Sequence, residues 1–153
     1  MRPAVGPASA GRAPVAALQA ALAAEHAAIY GYGVAGAQLT AAARAAALRD
    51  WTLHQNARDT LTAMIASLGA TPVAASAAYE LPFAVHDARS ARALAADMED
   101  GVTRAYLALV ALPDTSLRTF GALAMQPPAE RAAYWRGTTT AFPGFPRGAF
   151  AHE

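Results

Sequence analysis

Three glutamates and one histidine carry the donor atoms that hold iron or manganese in proteins, and they fall one to each predicted helix: Glu25, His54, Glu99 and Glu130. In helical bundles that bind two such ions, two helices each supply a carboxylate and the other two each supply a Glu-x-x-His pair. The chemistry to consider first is therefore that of a metal-dependent oxidase or oxygenase.

The ligand set in this chain is incomplete. The expected pair of the second helix reads Trp51-x-x-His54, and that of the fourth reads Glu130-x-x-Ala133, so each pair lacks one ligand. Asp50 neighbours Trp51, but it lies one position round the helix and has a shorter reach, which makes it a poor substitute. The sequence thus predicts a vestigial site that could hold a single ion, with water completing the coordination.

The same residues have two other interpretations, which the sequence leaves open. As a buried polar set, Glu25 would pair with His54 or Arg58, and Glu99 with an arginine across the bundle, because an unpaired buried carboxylate is costly. If the helical register is different, they would instead lie on the surface.

The elements that position these residues are four predicted helices. Pro14 is well placed to start the first helix, in which apolar or small residues recur at steps of three and four. Gly36 and Thr40 supply a stop and a new N-cap, so the second helix, from about Ala41 to Leu68, folds back as an antiparallel neighbour. In an antiparallel hairpin, residues equally far from the turn lie at the same level along the helix axes. His54 of the second helix is therefore expected opposite Glu25 of the first.

The third helix begins near Asp87 or Ser90 and ends before Pro113. The fourth starts after Asp114, and the Pro127-Pro128 pair is expected to kink or split it. Counting from the turn between them, the third helix's glutamate comes within two residues of Glu130. This second pair of helices is again a tight hairpin.

The stretch between the second and third helices sets the topology. These 20 residues, Gly69 to Ala88, could extend to about 65 Å, whereas a helix of the length predicted here is only about 42 Å long. One long crossover between two hairpins is the ferritin-like arrangement. We therefore predict an all-α, antiparallel four-helix bundle, ferritin-like, over residues 14–140, with a flexible N-terminus (1–13) and an irregular tail (141–153).

Composition narrows the class of protein. Of 153 residues 45 are alanine, the best helix former, and none is cysteine, which excludes disulfides and thiolate metal sites and fits the cytoplasm. Twelve arginines against eleven acidic residues form no basic stripe, so we expect no nucleic acid partner. No signal-peptide or membrane-spanning stretch is evident, so no membrane association is expected.

Three glycines interrupt the first helix, at positions 31, 33 and 36. Each weakens a helix by about 1 kcal/mol relative to alanine, so the close approach of another backbone is the expected compensation. The sequence leaves open whether that contact is within the bundle or across a dimer.

A set of short motifs in a fixed order carries a family resemblance, and the motifs are Ala20–Tyr30, His54, Arg58-Asp59, Tyr79–Phe83, Glu99-Asp100, Tyr106, Tyr134–Gly137 and Phe142–Gly144. In these the chain resembles a bacterial ferritin-like domain of unknown function common in high-GC genomes, the DUF family numbered 4439. The resemblance implies the ferritin-like fold and no established activity. Trp51 and Ala133 depart from the wider metal-binding superfamily, which argues against oxidase or iron-storage activity.

Three functions remain in view. We expect first a non-catalytic bundle that acts by self-association, as a homodimer, or through an unknown protein partner. The alternative is an oxidase or oxygenase dependent on iron or manganese, with the four ligands named above. The third is a binder of a small apolar ligand in the space that metals would fill, lined by Trp51 and the tyrosines.

Overall fold

The chain folds as a bundle of four helical rods in the computed structural model, which describes residues 11–145. Within that range the helices are α1 (Arg12–Gln38), α2 (Ala41–Ser67), α3 (Ala88–Val110), α4 (Thr115–Ala124) and α5 (Gln126–Arg136). The last two together form the fourth rod, and the described residues contain no strand. The predicted all-α bundle is confirmed.

The two ends of the chain lie largely outside the described residues. This applies to residues 1–10 of the predicted flexible N-terminus and to residues 146–153 of the predicted tail. In the described part, α1 starts at Arg12, two residues before the start predicted at Pro14, which is within the usual variation of helix boundaries.

The first hairpin turns at Leu39 and Thr40, as predicted. Gly36 does not stop α1, however, because the helix continues through it to Gln38. The backbone N–H of Leu39 still bonds the Gly36 carbonyl, so the glycine lies in the last turn instead of beyond it. Thr40 occupies the N-cap position of α2 without a side-chain capping bond.

The second hairpin is defined by its caps and its prolines. Asp87 accepts a hydrogen bond from the Ser90 backbone in a capping box, and Asp114 accepts one from Leu117. The Pro127-Pro128 pair falls in the first turn of α5, where a missing N–H costs no helical hydrogen bond. The predicted split of the fourth rod is therefore confirmed, at Met125.

The link from α2 to α3 comprises 20 residues, from position 68 to position 87. Side chains of α1 hold it in place: Gln19 bonds Thr71 and Val73, and the Nε2 atom of His26 lies 3.1 Å from the Val73 carbonyl oxygen. Because α1 runs antiparallel to both α2 and α3, the latter two are parallel, and the link must run the length of the bundle. The predicted long crossover is confirmed.

The core consists of two apolar clusters separated by a polar layer. One lies near the α1–α2 turn and includes Tyr32, Leu94 and Trp135, and the other lies at the opposite end and includes Leu22 and Leu109. Glu25, His54 and Glu99 lie between them and are all buried. Within residues 11–145, no helix has both the length and the apolar character needed to cross a bilayer.

Candidate functional site: a buried ion cluster

Three of the four predicted ligands meet at mid-height in the bundle. Glu25 on α1, His54 on α2 and Glu99 on α3 are each no more than 1% exposed. His54 Nδ1 lies 2.6 Å from Glu25 Oε2, and its Nε2 lies 3.1 Å from Glu99 Oε1. The helical spacing and the two hairpin turns thus bring together the residues that the sequence placed on inward faces.

His54 is positively charged in this setting. A carboxylate oxygen accepts from each of its ring nitrogens, so both nitrogens must carry a proton. Burial alone would lower its pKa, but the hydrogen bonds to Glu25 and Glu99 outweigh burial and raise the pKa to about 9. The ring is therefore an imidazolium at neutral pH.

Arg131 supplies the second cation of the site. Its Nε donates to Glu99 Oε1 at 2.6 Å, and its Nη2 donates to Glu99 Oε2 at 3.0 Å, which is a bidentate pair. Burial alone would raise the pKa of Glu99, but the bonds from His54 and Arg131 lower it. Glu99 is therefore ionised, with both of its oxygens engaged.

Two tyrosines complete the hydrogen bonding of the carboxylates. Tyr32 donates to Glu99 Oε1 at 2.6 Å, and Tyr106 donates to Glu25 Oε1 at 2.7 Å. Burial, and then the neighbouring carboxylates, raise the pKa of both phenols, so each remains a neutral donor. We call Glu25, His54, Glu99 and Arg131, with Tyr32 and Tyr106, the ion cluster; its two carboxylates face two cations.

The other sequence-predicted partners lie elsewhere. Glu130 is exposed on α5, one position round the helix from Arg131, and it does not join the ion cluster. Arg58 pairs with its neighbour Asp59 instead of with Glu25. The interpretation as a buried polar set thus holds for Glu25 and Glu99, with His54 and Arg131 as their partners.

Asp50 is a buried carboxylate that sequence reasoning discounted. It is 1% exposed, and its Oδ2 accepts a hydrogen bond from the Trp135 indole at 3.0 Å. Within residues 11–145 its Oδ1 has no hydrogen-bond partner, although the Arg49 guanidinium lies 3.4 Å away. Burial raises the pKa of Asp50. The position one step round from Trp51 thus faces α5 and not solvent.

A cleft of about 240 Å³ between α2 and the α4–α5 rod reaches the ion cluster. Glu25, His54, Tyr106 and Arg131 contribute to its lining, and its remaining wall is mostly apolar, including Leu53 and Phe120. The cleft therefore borders the ion cluster, whose carboxylates and imidazole are nonetheless no more than 1% exposed.

The donor atoms of the ion cluster do not fit a metal ion as they are arranged. Within residues 11–145, no group of three or more histidine, cysteine, aspartate or glutamate side chains has a geometry that could hold one. The cause is visible in the contacts, because both nitrogens of His54 point at carboxylate oxygens and Arg131 occupies both oxygens of Glu99. Binding a metal would require these contacts to break.

Comparisons with known proteins give a family and similar solved structures. The family described as "Domain of unknown function (DUF4439)" matches residues 17–147. No curated protein matches the chain. The crystal structure of a conserved hypothetical protein, rv2844, from Mycobacterium tuberculosis is similar, with 34% sequence identity and a TM-score of 0.79 over 83% of this chain and 97% of that one.

Proposed function

This chain belongs to the DUF4439 family, and we propose that it acts as a non-catalytic helical bundle that self-associates, with an ion cluster in the bundle core, where metal-binding four-helix bundles hold their ions. The proposal includes a cytoplasmic location, which the cysteine-free composition supports. It rests first on the ion cluster and second on one face of α1 and α2.

The observation that carries the proposal is the charge balance of the ion cluster. His54 and Arg131 supply, inside the protein, the positive charge that Glu25 and Glu99 would otherwise take from a metal. A catalytic metal centre keeps at least one coordination position open. Here the carboxylate oxygens and both imidazole nitrogens are already committed to protein partners, which favours a structural role.

The glycines of α1 support association. An added Cβ at Gly31 would come within 2.9 Å of Met98, so this glycine serves packing inside the bundle. At Gly33 and Gly36 an added Cβ would meet nothing within 4 Å. Packing within the described residues therefore does not explain why glycine stands at positions 33 and 36. Close approach of a second copy would compensate for the helix stability that each glycine loses relative to alanine.

The surroundings of these glycines suit another helix. A groove of about 390 Å³ follows α1 and α2, with Gly33 and Gly36 on one wall and Leu48 and Trp51 on the other. Leu48 is 62% exposed, an apolar side chain that a partner would cover. A two-fold interface is self-complementary, so a helix of a second copy is the partner we propose for this groove.

Light scattering on the purified full chain tests this proposal directly. We expect a dimer mass for the wild type and a monomer mass for Gly33→Leu/Gly36→Leu, because the larger side chains prevent close helix approach. Gly101→Leu is the matched control, since this glycine also lies within a helix and an added Cβ there would meet nothing within 4 Å. A monomeric wild type, or an unchanged dimer in the double variant, would refute self-association through this groove.

A metal-dependent oxidase is the second candidate, and the convergence of Glu25, His54 and Glu99 is the observation that favours it. Metal analysis of protein purified without chelator separates the two candidates. We expect less than stoichiometric iron or manganese, and no uptake on reconstitution. Near-stoichiometric metal that disappears in His54→Ala would establish the second candidate and end the first. An apolar ligand in the space beside the ion cluster has less support, because that cleft is smaller than the roughly 300 Å³ where ligand pockets begin, and Trp51, predicted to line it, lines the separate groove along α1 and α2 instead.

A further inference from the structure

A third cavity, larger than the two described above, lies along the exposed face of α3. Its volume is about 800 Å³, within the range of small-molecule sites. We call it the arginine groove; its walls are α3, the end of α5, the crossover and residue 145 of the tail, and its charged lining residues are Arg89, Arg92, Asp97, Asp100, Arg104 and Arg136.

The charges of the arginine groove are unbalanced. Four arginines face two aspartates, and Asp100 is already paired with Arg136. Arg104 donates to the Gly144 carbonyl, which holds the tail against α3. Within residues 11–145 neither Arg89 nor Arg92 has a carboxylate oxygen within 4.0 Å of its guanidinium, so these two keep donors available for an anion.

Aromatic rings lie beside these free guanidinium groups. The Arg92 guanidinium carbon is 5.7 Å from the ring centre of Trp135, a cation–π contact. Phe83 and Phe145, which are 40% and 45% exposed, line the same groove. Two alanines of α3 also line the groove, Ala93 exposed and Ala96 buried, and their small side chains leave room for a planar ring.

We propose that the arginine groove binds a small aromatic anion, with its carboxylate or phosphate on Arg89 and Arg92 and its ring against Phe83 and Phe145. A guanidinium offers a planar pair of donors that matches both kinds of anionic group. The apolar surface beside it selects a ring over a fully hydrated inorganic ion. The site is separate from the ion cluster and does not depend on self-association.

Calorimetric titration of the full-length protein with phenylacetate and with phenyl phosphate tests the proposal. We expect at least one of the two to bind with a Kd below about 1 mM, and whichever binds more tightly identifies the anionic group. Benzyl alcohol and inorganic phosphate, each lacking one half of the ligand, should bind at least tenfold more weakly. Equal binding of inorganic phosphate would overturn the proposal, as would binding of neither aromatic probe.

Charge-matched variants locate the site. Arg89→Gln/Arg92→Gln should weaken binding of the better probe at least tenfold, whereas Arg12→Gln/Arg118→Gln, which removes two exposed arginines elsewhere, should leave the Kd unchanged. Equal losses in both double variants would mean nonspecific charge attraction and would overturn the site. The probe should also shift the fluorescence of Trp135 in a Trp51→Phe background, where it is the sole tryptophan. Should that background fold poorly, the calorimetry of the arginine variants still decides.

Discussion

The ion cluster and the arginine groove contain the same kinds of charged side chain, but these are paired in the first and partly unpaired in the second. In the ion cluster, His54 is held between two buried carboxylates, Arg131 pairs with one of them, and donors and acceptors match. In the arginine groove, Arg89 and Arg92 lie on the exposed face of α3 with no carboxylate partner in the described chain. Charge that is buried and balanced serves the fold, whereas charge that is exposed and unbalanced is available for a ligand.

One residue connects these two regions. The indole N–H of Trp135 donates to buried Asp50, while its ring lies under Arg92 of the arginine groove. The Trp135 ring also packs against Tyr32, whose hydroxyl donates to Glu99. The two regions are therefore neighbours in contact through one side chain, and substitutions in them can be compared within a single protein.

The largest difference should appear on removing an arginine from each region. Arg131→Met leaves Glu99 with one cation instead of two, and breaking a buried pair in this way typically costs about 3–5 kcal/mol of unfolding free energy. Arg92→Gln removes an exposed side chain with no ionic partner and loses only its cation–π contact with Trp135, so it should change stability by about 1 kcal/mol or less. Urea denaturation of both variants measures the contrast.

A double variant separates lost pairing from lost volume. In Arg131→Met/Glu99→Leu the buried carboxylate that Arg131 paired with is gone as well, so the loss should be smaller than the sum of the two single losses. Strictly additive losses would mean that Arg131 and Glu99 do not stabilise one another, and the charge-balance account of the ion cluster would then be wrong.

The next effect in size is the pH dependence that His54 confers. Its pKa is raised from the ordinary value of 6.5 to about 9, so its stabilising contribution is complete below pH 6.5 and is lost as the pH rises through 9. A shift of this size corresponds to at most about 3 kcal/mol. Of the groups around the ring, Glu99, Tyr32 and Arg131 keep their charge states across this range, because the pKa of Glu99 is lowered and those of Tyr32 and Arg131 are raised.

Denaturation of wild type and His54→Gln at a series of pH values measures the slope of unfolding free energy against pH, which tests this prediction. The wild type should lose stability between pH 6.5 and 9, and the variant, though less stable overall, should not. His86→Gln is the matched control, because the His86 side chain is 76% exposed and its removal should leave the slope intact. A slope that persists in His54→Gln would assign the titration to another group.

The sequence was enough to predict which residues of α1, α2 and α3 face the inside of the bundle, because those helices are long and regular. Helical spacing and one turn position placed Glu25 beside His54, and the same spacing placed Glu99 inside. It did not suffice for the fourth rod. The break at Met125 shifts the register by an amount that the residue pattern does not encode, and a shift of one residue rotates a side chain by about 100°.

That rotation explains why Arg131, and not Glu130, reaches Glu99. A signal was nevertheless present, since two inward carboxylates with a single histidine require another cation, and Arg131 adjoins the predicted position. The arginine groove was missed for a different reason. It depends on how the crossover and the tail lie against α3, and neither segment has a periodic pattern from which its path can be predicted.

The smallest effects should come from the aspartates of the two regions. Burial raises the pKa of Asp50, so ionisation of this side chain opposes folding. The contribution of protonated Asp50 to the unfolding free energy is therefore complete at low pH and is lost as the pH rises through the raised pKa. Asp50→Asn keeps an acceptor for Trp135 and should stay within about 1 kcal/mol of wild type at neutral pH. The difference in unfolding free energy should move in favour of the variant from acid to neutral pH.

Asp97→Asn, the exposed counterpart in the arginine groove, should leave stability unchanged and tighten binding of the aromatic anion, because it removes an opposing charge. If Asp97→Asn instead destabilised the fold and Asp50→Asn altered only ligand binding, the assignment of buried charge to stability and of groove charge to binding would be wrong.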